Sequence, residues 1–298
     1  MQQGEPSQTA KMTAVMRAYH NAFGASPKIL EDDVAMSLTG LGTPEALAGH
    51  YNGVVELFTA LSNKETADLF VRRTMDFVCM RSRLFEEQLK TALADGVEQV
   101  IVLGAGLDTT AYKFADQLQG VTIYEIDHPD TQQWKRNALE NSGIAIPDNL
   151  QFIGIDFETQ TLTDALDQAG VNRDLLTMMS WLGVVMYLTD DGIRSSLSVL
   201  SEFAKGSRMV MDFVMPDYEQ VEGYQPDDLT NLYKVVAEMG EPMLSKLGIE
   251  DWKERFATAG FSEVTFYSTE MLVEQFMDGQ ADLYTIPAGT TTLLSAKI

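Results

Sequence analysis

The sequence predicts an α/β fold built on a mostly parallel sheet. Between residues 99 and 214, five short apolar segments alternate with four segments of helical periodicity. Alternation at this spacing indicates βαβ units, and strands without a polar face are typical of a sheet covered on both faces. The predicted strands are residues 99–103, 121–126, 150–155, 175–181 and 208–214, and the predicted helices are residues 111–119, 129–141, 161–169 and 190–204.

The residues before the first strand predict helices alone. Apolar residues recur at three- and four-residue intervals over 11–23, 51–61 and 64–93, which is the period of a helix with one buried face. We therefore expect a helical cap over residues 1–95, followed by an α/β domain over residues 96–298.

The alternation ends after the fifth strand. Residues 216–248 are polar and rich in turn-forming residues, with one helix predicted over 229–239. This composition predicts a lid inserted after strand five, at about residues 216–250. The remaining predicted elements are a helix over 251–259 and strands over 263–267 and 291–298, which we expect to form a hairpin at one edge of the sheet.

The composition also restricts partners and compartment. Lys and Arg total 21 against 44 Asp and Glu, a formal net charge of −23 over 298 residues. Such a surplus repels nucleic acid phosphates and anionic membrane surfaces, so neither is an expected partner. One cysteine, Cys79, excludes an intrachain disulfide, and the N-terminus lacks a signal-peptide pattern. We expect a cytoplasmic protein, and no metal site, because the three histidines are widely spaced.

A candidate ligand site lies where the first predicted strand ends. Gly104, Ala105 and Gly106 follow that strand directly, and ligands of open parallel sheets bind beyond the carboxyl ends of the strands. Thr109 stands where a dinucleotide-binding fingerprint has its third glycine. The alternative is a tight strand-to-helix turn that binds no ligand.

Acidic residues end the next two strands. Glu125 and Asp127 end the second strand, where a carboxylate can accept hydrogen bonds from the ribose diol of NAD or of S-adenosyl-L-methionine (SAM). Asp127 can equally cap the helix that begins at Pro129. Asp156 and Phe157 end the third strand, and an acid beside an aromatic ring suits an adenine, although Asp156 can equally begin a turn.

Two arginines, Arg81 and Arg83, lie in the last predicted helix of the cap. An arginine can bind a ligand carboxylate through two parallel hydrogen bonds. The alternative is a surface ion pair with Glu86 or Glu87, and the residues alone favour that alternative.

Taken together, these segments resemble a known family. The order Arg81-Ser82-Arg83, then GAGLDT (104–109), YEIDHP (124–129), IGIDF (153–157) and SWLGVVMYLT (180–189) is similar to the bacterial branch of the leucine carboxyl methyltransferase-like family of SAM-dependent methyltransferases. The resemblance implies a Rossmann-like class I methyltransferase sheet of order 3-2-1-4-5-7-6, with strand seven antiparallel, and SAM as the cofactor.

The resemblance also implies roles for individual residues. Arg81 would bind the methionine carboxylate of SAM, and Asp127 would bind its ribose. The other implied contacts are Gly104, Ala105 and Gly106 along the methionine, Glu125 and Ile126 beside the ribose, Asp156 and Phe157 at the adenine, Ser180 and Trp181 beside the sulfonium, and Tyr187 on the acceptor side.

One residue departs from the family pattern in a way that concerns the acceptor. Leu182 stands where many members have an acid, five residues before Tyr187. This departure weighs against a protein carboxylate as acceptor and leaves the SAM prediction unchanged. We therefore expect methyl transfer to an oxygen of a small molecule, either a hydroxyl or a carboxylate.

A hydroxyl acceptor requires a group near its proton. The candidates are His20, Tyr19 and Tyr187, although His20 can equally be a residue of the helix surface. Two other classes remain open at this point. A nicotinamide-dependent oxidoreductase shares the strand–glycine–helix–acid pattern, and a non-catalytic binding protein could retain the same fold. The sequence does not indicate an oligomeric state.

Overall fold

The computed structural model describes residues 7–156, 160–216, 228–238, 240–280, 284–288 and 290–298. Within them the strands are β1 (Gln99–Leu103), β2 (Thr122–Asp127), β3 (Leu150–Gly154), β4 (Thr177–Trp181), β5 (Arg208–Asp212), β6 (Glu263–Ser268) and β7 (Thr291–Lys297). The helices are α1 (Gln8–Phe23), α2 (Ala35–Thr39), α3 (Pro44–Thr59), α4 (Lys64–Ala94), α5 (Thr110–Lys113), α6 (Pro129–Asn141), α7 (Leu162–Gln168), α8 (Asp190–Leu200), α9 (Asp228–Glu238), α10 (Ile249–Ala259) and α11 (Thr269–Phe276). A 3₁₀ helix, Val185–Tyr187, follows β4.

The strands form one sheet in the order β3-β2-β1-β4-β5-β7-β6. Strands β1 to β5 are parallel, whereas β7 runs antiparallel to both β5 and β6. The predicted α/β sheet is confirmed, as are the strand order and the antiparallel strand that the family resemblance implies. Because the order changes direction between β1 and β4, a ligand crevice is expected at their carboxyl ends.

The cap packs directly on this sheet. Helices α1, α3 and α4 confirm the helices predicted over residues 11–23, 51–61 and 64–93. Each begins at a side chain that accepts a backbone N–H, namely Ser7, Thr43 and Asn63. Val78 of α4 belongs to the same apolar cluster as Val100 of β1, so cap and sheet share a core. The division at residue 95 stays a prediction.

Several short elements differ from the expectation. The helix predicted over 111–119 is confined to α5, and helices α2 and α11 and the 3₁₀ helix were not predicted. Helices of so few residues carry little periodicity to detect. Because α11 lies between β6 and β7, these strands pair across a helix rather than through a tight hairpin turn.

The predicted insertion contains α9, and its residues 217–227 lie outside the described part of the chain. After α9 the chain returns to the sheet. The N–H groups of Leu244 and Ser245 donate to the carbonyl of Met186 at 2.7 and 3.0 Å. The insertion is therefore attached to the segment that follows β4.

The described residues contain neither a helix suited to cross a membrane nor a cluster of metal ligands. None of the described helices has the length and apolar character needed to cross a membrane. The same residues contain no group of His, Cys, Asp and Glu side chains placed to hold a metal ion.

Candidate active site

A cavity of about 480 Å³ lies at the carboxyl ends of β1 and β4. The turns after these two strands form its floor, and its walls come from α1, α4 and residues 240–244. Ligands of open α/β sheets bind at this position, and the volume lies in the range of small-molecule sites. Cap, sheet and insertion thus contribute to one candidate site.

The floor of the cavity is backbone. Gly104 and Gly106 have φ angles of 58° and 49°, which glycine adopts without steric cost. A Cβ at Gly104 would lie 2.3 Å from Cγ2 of Val184. The turns after β1 and β4 can therefore pack closely only because residue 104 has no side chain. The N–H of Ala105 donates to the carbonyl of Ile126 at 3.0 Å. Gly104, Ala105 and Gly106 line the cavity, whereas Ile126 is buried in the core and supports the turn from behind.

Asp127 lies in the cavity lining at the end of β2. The N–H of Gly106 donates to its Oδ2 at 2.5 Å, and the N–H of His128 donates to its Oδ1 at 2.6 Å. Burial raises the pKa of this carboxyl above its usual value, and the two backbone hydrogen bonds oppose that effect. Since a carboxylate offers about four acceptor positions, Asp127 retains capacity for a hydroxyl donor.

Arg81 lies on α4 and contacts Asp212, the last residue of β5. Nη1 of Arg81 is 2.7 Å from Oδ2 of Asp212, whose side chain is fully buried. The other oxygen of Asp212 accepts the N–H of Gly183 at 2.5 Å. A Cβ at Gly183 would lie 2.9 Å from Nη2 of Arg81, so the guanidinium lies directly against the backbone. Arg81 lines the cavity, whereas Arg83 forms the surface pair with Glu87 at 2.9 Å.

The end of β4 places two predicted site residues on opposite faces of the sheet. Ser180 lines the cavity, whereas Trp181 is buried in the apolar cluster that contains Met179 and Met211. Successive side chains of a strand alternate between faces. This alternation corrects the expectation that Trp181 lies beside Ser180 at the cofactor.

Glu125 points into the interior rather than into the cavity. Its carboxylate is 2.6 Å from Nζ of Lys135 on α6, and both side chains are buried. Burial raises the pKa of Glu125 to about 7, against the opposing influence of Lys135. The structure therefore places Glu125 in the packing of α6 on β2 and corrects its expected place beside the ribose.

The predicted adenine pair is described in part. The N–H of Ile155 donates to the carbonyl of Asp127 at 2.9 Å, so the ends of β2 and β3 are adjacent. Asp156 is outside the described lining of the cavity, and its backbone exchanges hydrogen bonds with Gln160. Phe157 lies outside the described residues. The adenine role of this pair stays a prediction.

His20 is buried in the cap and does not belong to the cavity lining. Its Nε2 accepts the N–H of Ile29 at 3.1 Å. Burial, with a contribution from nearby Lys28, lowers the pKa of His20 to about 4. His20 thus holds the segment after α1 in place. This position corrects the expectation that it reaches the acceptor.

Tyr187 is the predicted catalytic residue that the structure does place at the cavity. It ends the 3₁₀ helix after β4. Burial raises its pKa to about 12. The phenol is therefore neutral at physiological pH, so it can form hydrogen bonds but does not act as a phenolate base.

Two buried charged side chains that were not predicted lie at the cavity or directly behind its lining. Arg17 of α1 lines the cavity, and its Nε lies 3.3 Å from Oδ2 of Asp32. Its Nη2 also donates to the carbonyl of Leu107 at 2.5 Å. Asp212 is the other. Both interrupt apolar runs in the sequence, and a charge among buried positions must find a partner, so this signal was available.

Glu241, which follows α9, is the third residue that was missed. Its Oε1 accepts the N–H of Gln8 at 3.1 Å, its Oε2 accepts the N–H of Thr9 at 3.4 Å, and the Thr9 hydroxyl also donates to Oε2. A carboxylate here pairs the unbonded N–H groups of the first turn of α1 and favours its dipole. Glu241 thereby joins the insertion to the cap at the cavity wall.

The fold and the site define a class. A parallel sheet with an antiparallel β7, a glycine turn after β1 and an acid after β2 are the features of class I SAM-dependent methyltransferases. The chain belongs to the leucine carboxyl methyltransferase family, whose model matches residues 10–201. It is therefore an enzyme that uses SAM as its cofactor.

Individual relatives agree with this assignment. The Bacillus subtilis protein named "Putative S-adenosyl-L-methionine-dependent methyltransferase YktD" is 28% identical over 295 residues, which cover 95% of each chain. A Mycobacteroides abscessus protein with the name "Putative S-adenosyl-L-methionine-dependent methyltransferase" is 30% identical over 73% of this chain and 67% of its own.

Two solved structures show the same fold at low sequence identity. A DUF574 family protein from Streptomyces avermitilis aligns with a TM-score of 0.52 at 12% identity, over 98% of this chain and 97% of its own. A Nostoc punctiforme protein described as a "putative O-methyltransferase" aligns with a TM-score of 0.50 at 10% identity, over 89% and 73%.

Proposed function

We propose that this enzyme transfers the methyl group of SAM to an oxygen of a small molecule, either a hydroxyl or a carboxylate. The observation that carries the proposal is the construction of the cavity from three parts of the chain. Cap, sheet and insertion surround a volume of about 480 Å³, which is in the range of small-molecule sites. The contact of Glu241 with the start of α1 joins the insertion to the cap along one wall, and this arrangement favours an acceptor of small size.

The residues present suit SAM. The Arg81 guanidinium and the Asp127 carboxylate both line the cavity, as does the glycine turn at residues 104–106. A guanidinium matches an amino acid carboxylate, and a carboxylate matches a ribose diol. The missing Cβ at Gly104 lets the floor approach a ligand closely. Arg81, Asp127 and this turn would therefore hold the cofactor.

The protein's own task in the reaction is alignment. Bound SAM supplies a methyl carbon that its sulfonium has already activated. Arg81 and Asp127 would hold the two ends of that ligand, and Ser180 lies on the floor between the strands. Holding two reactants in line can contribute about 7–11 kcal/mol to lowering a barrier.

The acceptor side of the cavity is apolar. Met12 of α1, Phe77 of α4, Leu182, Met186 and Met243 of the insertion all line it. Leu182 stands where the family resemblance leads us to expect an acid. Methionine side chains adapt to ligands of different shape. This lining supports an acceptor with an apolar body and one nucleophilic oxygen.

Three competing functions are less well supported. Carboxyl methylation of a protein agrees with the description of the family. The net charge of −23, however, repels the negatively charged C-terminal carboxylate of a protein acceptor. The nicotinamide-dependent and non-catalytic alternatives draw no support from the family match.

Transfer of labelled methyl groups tests the proposal. The purified enzyme is incubated with methyl-labelled SAM and a metabolite extract, and in parallel with a protein extract. We expect label in the small-molecule fraction, and alkaline treatment then distinguishes esters, which release methanol, from ethers, which do not. Label confined to protein and released by alkali would show protein carboxyl methylation instead.

A further inference from the structure

The turn after β1, residues 104–109, is held in place from two sides. On the sheet side, the N–H of Ala105 donates to the carbonyl of Ile126 at 3.0 Å, and the N–H of Gly106 donates to Oδ2 of Asp127 at 2.5 Å. These two hydrogen bonds fix the first half of the turn. The second half makes its contacts with the cap instead.

Asp32, a buried residue between α1 and α2, is the centre of the contacts on the cap side. Its Oδ2 accepts the hydroxyl of Thr109 at 2.8 Å and lies 3.3 Å from Nε of Arg17. Its Oδ1 accepts the N–H of Ala35, the first residue of α2, at 3.0 Å. Nη2 of Arg17 in turn donates to the carbonyl of Leu107 at 2.5 Å. A buried ion pair of the cap thus holds the turn at two points.

The side chain of Thr109 contacts the cap rather than its own helix. Thr109 immediately precedes α5, where a threonine hydroxyl commonly accepts a backbone N–H of the first turn, yet its side chain accepts none there. In a dinucleotide-binding fingerprint this position is a glycine, which lets the following helix pack closely on the strand. Here α5 has only four residues, and the hydroxyl of Thr109 connects the turn to the cap.

We propose that the buried pair of Asp32 and Arg17 positions the turn after β1, so that the affinity for SAM depends on this contact between the cap and the sheet. Asp32 acts through the Thr109 hydroxyl, and both residues are outside the described lining of the cavity. They are therefore positioning residues. The inference rests on the placement of the cofactor at this turn under the proposed function, and it does not depend on the identity of the methyl acceptor.

The turn needs such support because of its glycines. Gly104 and Gly106 have positive φ angles, and glycine has more accessible conformations than any other residue. A ligand that binds one of these conformations loses affinity in proportion to the time that the turn spends in the others. Hydrogen bonds from the cap to residues 107 and 109 reduce that loss. Because coupling between two sites is reciprocal, a bound cofactor must also stabilise the cap segment that carries Asp32.

Substitutions of Thr109 test the contact without changing the cavity lining. Thr109→Val removes the hydroxyl and keeps the shape of the side chain, whereas Thr109→Ser keeps the hydroxyl. We expect calorimetry to show an affinity for S-adenosylhomocysteine that is about tenfold weaker in Thr109→Val, within the usual range of coupling between sites, and largely retained in Thr109→Ser. Thr59→Val is the matched control and should bind as the wild type, because its hydroxyl donates to the carbonyl of Val55 within α3, away from the turn.

Hydrogen exchange measures the reverse effect and requires no variant. Residues 29–39 contain Asp32 and α2, and none of them belongs to the described lining of the cavity. We expect S-adenosylhomocysteine to slow amide exchange in this segment of the wild type. At saturating ligand the protection should be reduced in Thr109→Val, whereas protection at the end of β2, which carries Asp127, should remain. A merely structural role of Thr109 would leave both the affinity and this ligand-dependent protection unchanged.

Three results would overturn the inference. These are a folded Thr109→Val with the affinity of the wild type, a Thr109→Ser that binds as weakly as Thr109→Val, and a wild type in which the ligand does not protect residues 29–39. The proposed function fails on a different measurement, the transfer of labelled methyl groups to protein alone, because none of the binding and exchange experiments contains a methyl acceptor.

Discussion

Arg81 and Asp212 form an ion pair across 131 residues of sequence, with 2.7 Å between Nη1 and Oδ2. The pair joins the longest cap helix to the end of β5 beside the cavity. Asp212 also accepts the N–H of Gly183, so the same carboxylate orients the guanidinium and the turn after β4. The position of the candidate cofactor-binding arginine therefore depends on a strand that is distant in sequence.

Replacing Asp212 should affect both stability and cofactor affinity. Asp212→Ala leaves the largely buried Arg81 uncompensated, and breaking a buried pair costs about 3–5 kcal/mol. We expect urea unfolding to show a loss of this order in the free energy of unfolding. We also expect calorimetry to show a weaker affinity for S-adenosylhomocysteine (SAH), the demethylated product of SAM. Glu87→Gln, which breaks the half-exposed pair with Arg83, should cost about 1 kcal/mol or less. Equal losses in the two variants would contradict the assigned geometry.

Asp127→Asn should weaken SAH binding about tenfold or more, the value of one charge-assisted hydrogen bond. Two backbone donors, from Gly106 and His128, point at the carboxylate. An amide has one acceptor oxygen, so one of these N–H groups would face the amide NH₂. Calorimetry with SAH provides the measurement, and the exposed Asp116→Asn provides the control. An unchanged affinity in Asp127→Asn would remove this residue from the cofactor site.

Gly104→Ala should be more harmful than Gly96→Ala. Both glycines have positive φ, 58° and 86°, and an alanine at either position is strained by about 1–2 kcal/mol. A Cβ at Gly104 would also collide with Val184 at 2.3 Å, whereas a Cβ at Gly96 meets nothing within 4 Å. Thermal unfolding and SAH titration are measured for both variants. The loss in Gly96→Ala reports the backbone strain alone, and the additional loss in Gly104→Ala reports the collision with Val184. The double variant Gly104→Ala with Val184→Ala should recover part of the stability, and no recovery would argue against this contact.

The buried His20 should make stability depend on pH below neutrality. Its pKa falls from 6.5 to about 4 in the folded protein, so between these values the unfolded chain binds a proton that the folded chain does not. The free energy of unfolding is then lost as pH falls from 6.5 to 4, by about 3 kcal/mol in total. Urea unfolding at pH 7 and pH 5 should show a smaller loss in His20→Gln than in the wild type. His50→Gln, at an exposed position, should behave as the wild type.

The sequence contained enough information for the parallel part of the fold. Strands β1 to β5 are short apolar runs, and their alternation with helices is typical of a parallel sheet with helices on both faces. Helix α11 was missed because eight residues are too few for a clear period. The order of β6 and β7 came from the family resemblance and not from periodicity, since pairing of strands distant in sequence leaves no local pattern.

The site residues that directly follow a predicted strand could be predicted from the sequence. The turn at Gly104–Gly106 and the acid Asp127 follow their strands directly, and both line the cavity. Trp181 was misplaced because successive side chains of a strand face opposite sides of the sheet. Glu125 was misplaced because its buried partner, Lys135 of α6, is not evident from the sequence. Asp212 and Glu241 contact partners more than 130 and 230 residues away, and no spacing rule indicates such contacts.

The position of β7 has a consequence for synthesis of the chain. β7 lies between β5 and β6 in the sheet but follows both in the sequence. On the ribosome, β6 emerges without a neighbouring strand, and the edge of β5, which carries Asp212, stays uncovered until β7 is made. Nascent chains that have reached β6 thus expose the free edge of β5 and both edges of β6, and unpaired strand edges favour association between chains. Binding of a chaperone is best timed to that interval of translation.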